Sequence, residues 1–173
     1  MTMSKLKTTL VVSFLFVGLI ANSQHTIKTI ELSKLKIERD ELVYILDSMI
    51  IHEKRCEYYD SNLVFGINIR KSDSNYFINI QSENDKNIVL GLKPYGYTYY
   101  QNHLFFVSGD YNENLFQKSG EKKIFKYLKY NILNTNEKKE RVKYTVTDDS
   151  FTIWWFWYIN EKFFWGGKAS YCE

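Results

Sequence analysis

The sequence predicts a single α+β domain in which one N-terminal amphipathic helix packs on an antiparallel β-meander sheet. Three observations lead there. Leu35, Leu42, Ile45, Leu46, Met49 and Ile50 recur at helical spacing, which places them on one face of a helix. From Ser61 onward the apolar period drops to two, the period of a strand with one buried face. Turn-forming clusters interrupt the alternating segments at short intervals, so that successive strands are expected to pair with their neighbours.

The helix is read from Lys34 or Glu38 to Cys56, with Asp40, Asp47 and Lys54 opposite the apolar stripe. One amphipathic helix cannot hide its own apolar face, so it must lie on a sheet. His25 to Leu32 is too short a pattern to assign. Leu63, Phe65, Ile67 and Ile69 alternate with smaller or polar residues, Lys71 to Asn75 turns the chain, and Tyr76, Ile78 and Ile80 supply the partner strand. Asn84-Asp85-Lys86-Asn87 is the next turn and leads into Ile88–Leu92. Tyr97–Tyr100 and Leu104–Val107 form a hairpin around Gln101-Asn102-His103. Residues 108–122 are polar and read as a loop, Ile124–Tyr130 as a strand, and Asn131 to Glu140 as a charged connection. Val142, Tyr144 and Val146 alternate again, and Phe151–Ile159 is strongly β-prone before the turn into Phe163–Trp165. A helix followed by a meander resembles the order of cystatin-like and related helix-on-sheet architectures, a resemblance of fold alone.

The first 23 residues read as a removable secretory signal. Lys5 and Lys7 precede an apolar run from Leu10 to Ala21, and Ala21-Asn22-Ser23 offers small residues for cleavage, the order a signal peptidase requires. The run of 12 residues falls short of the roughly 20 needed to cross a bilayer as a helix, so no stable membrane insertion is expected after cleavage. Residues 24–173 then form one domain, exported to the periplasm or the extracellular space. Cleavage removes two lysines and no acids, so the net charge of +3 falls to +1. A near-neutral domain gives no electrostatic case for nucleic acid, which demands a basic face. Cys56 and Cys172 are the only cysteines, and an oxidising compartment favours a disulfide between them.

Most residues of chemical interest also have an ordinary structural explanation. His52-Glu53-Lys54-Arg55-Cys56 places a histidine and a cysteine four residues apart on a helix, but a catalytic zinc wants three protein ligands, and a disulfide at Cys56 removes one. Asp110, Asn112, Asn114 and Glu121 match positions of a calcium loop, but Leu115 stands where the sharp turn needs glycine, and Asp/Asn clusters are ordinary turn formers. No metal and no cofactor is expected, and no nucleophile elbow or glycine-rich phosphate loop is present. The aromatic run Trp154-Trp155-Phe156-Trp157-Tyr158 is the outstanding feature. In a strand its side chains alternate between faces. One row fills the core; Trp154, Phe156 and Tyr158 form the other. That second row is either buried under another element or exposed as a binding strip with Tyr95, Tyr97, Tyr99 and Trp165. The sequence therefore points to a non-enzymatic binding or inhibitory domain for a protein or peptide partner. A carbohydrate-binding module using Trp154 and the tyrosines, and a hydrolase assembled around His52, Glu53 and His103, are the alternatives.

Overall fold

In the computed structural model, which describes residues 26–56, 59–129 and 152–170, the helix is not the first element. A strand of 12 residues, β1 (Thr26–Ile37), precedes the helix α1 (Asp40–Glu53). Then come β2 (Val64–Ser72), β3 (Asn75–Glu83), a short helix α2 (Lys86–Gly91), β4 (Gly96–Tyr100), β5 (His103–Gly109), β6 (Phe116–Lys129), β7 (Ile153–Ile159) and β8 (Lys162–Ala169). The signal segment, Cys172 and the alternating residues 142–146 lie outside the described residues.

The eight strands form one sheet in the order β6-β1-β4-β5-β2-β3-β7-β8. This corrects the antiparallel meander, and with it the cystatin-like resemblance, because the sheet is mixed. Three hairpins pair locally: β2 with β3, β4 with β5, and β7 with β8. Parallel pairs then join distant segments, β1 to β4 and β2 to β5. Period-two alternation marks a strand's buried face but says nothing of which neighbour it pairs with, so long-range parallel pairing was invisible to it.

The same ambiguity displaced the helix start. Leu35 sits seven residues before Leu42, a spacing that suits a helix stripe. In the structure Leu35 belongs to β1, which pairs from Thr26 to Ile37 with β6. Those long-range backbone hydrogen bonds outweigh local periodicity. Phe116–Lys129 is a strand where a polar loop was expected up to residue 122, because its lysines lie along an outer edge and need no core. Ile88–Leu92 falls largely in α2, which Asp85 caps by accepting the Asn87 backbone N–H at 2.8 Å.

Two apolar clusters hold the sheet. On one face the stripe of α1, Leu42, Ile45, Leu46, Met49 and Ile50, shares a core with Phe65, Ile67, Ile69, Ile78, Ile80, Phe105, Trp154 and Phe156. On the other, α2 contributes Val89 and Leu90 to a smaller cluster with Leu32, Tyr97, Phe106 and Phe125. Leu46 is fully buried, so Leu46→Ala is expected to cost about 2–5 kcal/mol in urea unfolding. Gly109 has φ +86°, and a Cβ there would lie 2.0 Å from the Ile69 carbonyl oxygen. Gly109→Ala is therefore expected to lower stability by more than the strain of a left-handed alanine alone, on the order of several kcal/mol in the same assay.

A candidate binding groove between helix and edge strand

The aromatic run forms β7, and pairing decides which row faces in. Trp154, Phe156 and Tyr158 point to the α1 face and are buried. Trp155 and Trp157 point the other way; Trp155 is half-buried and Trp157 is exposed. Of the two alternatives left open for this row, buried or exposed as a strip, the structure takes the buried one. The reason is register: Trp154 sits opposite Ile80, and Phe156 opposite Ile78, both on the face that α1 covers.

The proposed ligand residues are dispersed. Tyr97 is buried against Phe125, with ring centroids 5.1 Å apart. Tyr99 is exposed on the same face, beneath the Lys123 ammonium at 5.4 Å from its ring. Tyr95 packs edge-on against Tyr111 at 5.5 Å on the opposite face, and burial raises its phenol well above the usual range. Trp154 and Trp165 do meet, edge to face at 5.5 Å. Of these five, Trp165 alone lines a groove.

That groove lies between the first turns of α1 and strand β8, has a volume of about 690 Å³, and opens broadly to solvent. Ile45, Tyr44, Phe156, Phe163 and Trp165 supply its apolar wall, with Asp40, Glu41 and Lys162 as the charged groups. Its geometry follows from three restraints. Phe163 and Trp165 face α1 because they sit opposite Tyr158 and Phe156. The Arg39 guanidinium donates to Glu161 at 2.7 Å and ties the β7–β8 turn to the helix start. Gly166 and Gly167 let the Trp155 indole lie against the backbone of β8, since a Cβ at Gly166 would come within 2.5 Å of it. A β-bulge at this point, with Trp155 opposite Gly167 but Phe156 opposite Trp165, bends β8. Tyr44 and Trp165 remain 74% and 57% exposed, so no described residue covers the two largest rings of the groove.

The histidines suspected of chemistry occupy different places. His52 Nε2 accepts from the Lys168 ammonium at 2.9 Å, since a lysine only donates. That leaves the ring proton on Nδ1, 3.6 Å from Glu53 Oε1. Among the described residues, neither of these two atoms, nor Trp154 Nε1 beside them, has a hydrogen-bond partner, although all are buried. Ligand atoms of His52, Glu53 and Cys56 fall within 4.8 Å of one another, but no described cysteine is free, and two ligands do not make a catalytic zinc site. His103 is buried beside Phe65, with its Nε2 3.3 Å from the Tyr59 hydroxyl, and burial pushes its pKa down. The oxygens of the calcium-like pattern are spent on local structure. Asp110 accepts the Lys71 backbone N–H at 2.7 Å, Asn112 accepts that of Asn114 at 2.9 Å, and Glu121 pairs with Lys34 at 2.8 Å.

No family model matches the chain, and neither does any curated protein or solved structure. No helix among the described residues is long and apolar enough to cross a membrane. Sequence reasoning missed Tyr44, Asp40 and Glu41 as groove residues, because a helix stripe predicts what is buried and not what its polar side borders. The one available signal was Tyr44 itself, a large ring on the polar side of an amphipathic helix.

Outside the groove, Glu83 at the end of β3 titrates unusually. Partial burial, the Asp85 charge and, in opposition, a hydrogen bond from Gln81 set its pKa, which rises to about 7. A raised acid favours the protonated form in the fold, so that contribution is complete below the ordinary carboxylate pKa and is lost as pH climbs through about 7. Glu83→Gln is expected to match wild type in stability near the acid end. Above neutrality it should exceed wild type by on the order of 1 kcal/mol after solvent screening, read as the difference between urea midpoints across pH. A constant offset at every pH would contradict the assignment.

Proposed function

We propose that this chain is an exported, non-enzymatic binding domain that docks a protein or peptide partner in the groove between α1 and β8. The observation that carries this reading is the pair of uncovered rings, Tyr44 and Trp165, standing over the apolar floor of Ile45, Phe156 and Phe163. Exposed aromatic rings in a concave apolar site are the anchors of interfaces, because they bury much area with few rotatable bonds. Peptides selected from a random display library on the wild-type domain, then synthesised and titrated by calorimetry, test it. Trp165→Ala and Tyr44→Ala are each expected to weaken a selected peptide at least tenfold. Equal affinity for the variants, or a library that yields no peptide, would reject the groove as the site.

A carbohydrate reading has one observation in its favour, on the opposite face. Trp157 meets Phe77 edge-on at 5.1 Å, and Asn79, paired with Trp155, keeps a buried Oδ1 without a partner. A glycan array read through tryptophan emission separates the two, with Trp157→Ala abolishing any response on this reading.

Export implies an oxidising compartment, and the reading includes a Cys56–Cys172 bridge, supported on one side by Cys56 being buried and not free. Such a bridge closes a loop of more than 100 residues and contributes about 4–5 kcal/mol on a chain-entropy basis. Intact mass without reductant should show no alkylation by iodoacetamide, and reductant should lower the urea midpoint.

A further inference from the structure

We propose that the groove receives an extended peptide segment by strand addition to β8, with one basic side chain of that segment held at Asp40 and Glu41. This rests on the peptide-docking reading and specifies its mode and the chemistry of the partner.

The backbone of β8 is built for it. Asn160 and Glu161 both have positive φ, 48° and 62°, and form a two-residue turn closed by Ile159 and Lys162. In such a hairpin the closing pair exchanges hydrogen bonds, and the pairs alternate from there. Trp157 and Phe164 are then a bonded pair, and Phe163 and Trp165 belong to the non-bonded ones. The N–H and C=O groups of Phe163 and Trp165 therefore point away from β7, toward an edge that no other described strand covers. The same two residues put their rings into the groove. An added strand would satisfy the open backbone groups and drop alternate side chains onto those rings, which is how strand addition couples affinity to specificity.

The two edges of the sheet are treated differently. Edge strand β6 carries Lys118, Lys122, Lys123 and Lys126, all exposed, the usual guard against pairing. Between Lys162 and Lys168, β8 holds Phe163, Phe164, Trp165, Gly166 and Gly167 with no charge. Phe164 is half exposed on the far side. The uncharged stretch ahead of the bulge, Phe163–Trp165, coincides with the groove.

Charge selects the occupant. Asp40 and Glu41 line the groove, and neither forms an ion pair with a described side chain. Lys162 lines it too without pairing to them, so two carboxylates and one ammonium leave a local charge of −1. A lysine or arginine arriving beside the rings of Tyr44 and Trp165 would gain both carboxylate and ring-face attraction. An acidic side chain would meet repulsion.

The probe is a strand-length peptide of about nine residues, alternating valine and threonine, with one central lysine in the valine register. Three measurements are made on the full domain: affinity by calorimetry, backbone amide exchange by NMR, and salt dependence. Binding should slow exchange of the Phe163 and Trp165 amides. N-methylation of alternate peptide nitrogens should abolish binding. Replacing the lysine by norleucine, or pairing Asp40→Asn with Glu41→Gln, should weaken binding roughly three- to tenfold and flatten the salt dependence. Circular dichroism confirms that the double variant keeps its fold; if it does not, the norleucine peptide carries the charge test alone. If library-selected peptides bind through Trp165 while the Phe163 and Trp165 amides stay fast, strand addition is wrong and the groove stands. If the norleucine peptide binds equally well, the basic anchor is wrong. If no peptide of either kind binds, the underlying reading fails as well.

Discussion

The apolar stripe of α1 laid on one face of the sheet is the interaction from which the rest follows. Leu46, Met49 and Ile50 are wholly withdrawn from water together with Phe65, Ile67 and Phe105. Removing so much apolar surface supplies the main drive for folding. It also fixes which side of each strand is inside, and therefore which ring of every aromatic pair is left outside.

Among the described residues helical cover is scarce. A helix of 14 residues and another of six must shield a sheet of eight strands. The α2 side covers the half of the sheet around β2, β5 and β6, and α1 covers the middle of the opposite face. Beyond those limits the aromatic side chains cover one another: Phe156 against Trp165 at 5.2 Å, Tyr158 against Phe163 at 4.9 Å, and Trp154 against Trp165 at 5.5 Å. Edge-to-face packing of this kind stabilises a small satellite core without another layer. It leaves the outermost rings wet, and the groove is the result.

Side-chain clamps place the helix more closely than apolar contact, which has no direction, can do. Arg39 reaches Glu161 at one end, Asp47 accepts from the Tyr100 hydroxyl at 2.6 Å in the middle, and Lys168 donates to His52 at the other end. These exposed or half-exposed bonds add little energy individually. Their role is registration, since they set the separation between the first turn of α1 and β8, and hence the width of the groove.

Local chemistry was legible in the sequence. The stripe from Leu42 to Ile50, the turn at Asn160-Glu161 and the alternation of β2, β3 and β7 each depend on residues near one another in the chain, and periodicity reads such dependence directly. Strand order depended on contacts across the whole chain, such as β1 beside β4 and β2 beside β5. No local period records them, so a mixed sheet looked like a meander, most of the first strand stayed unassigned, and its end from Lys34 was open to a helical reading. The aromatic run was plainly unusual from the sequence, but either alternate row could have faced inward. Only the opposition of Trp154 to Ile80, beneath α1, decided that Trp154 was core and that Trp165, eleven residues on, would stand with Tyr44 over a groove.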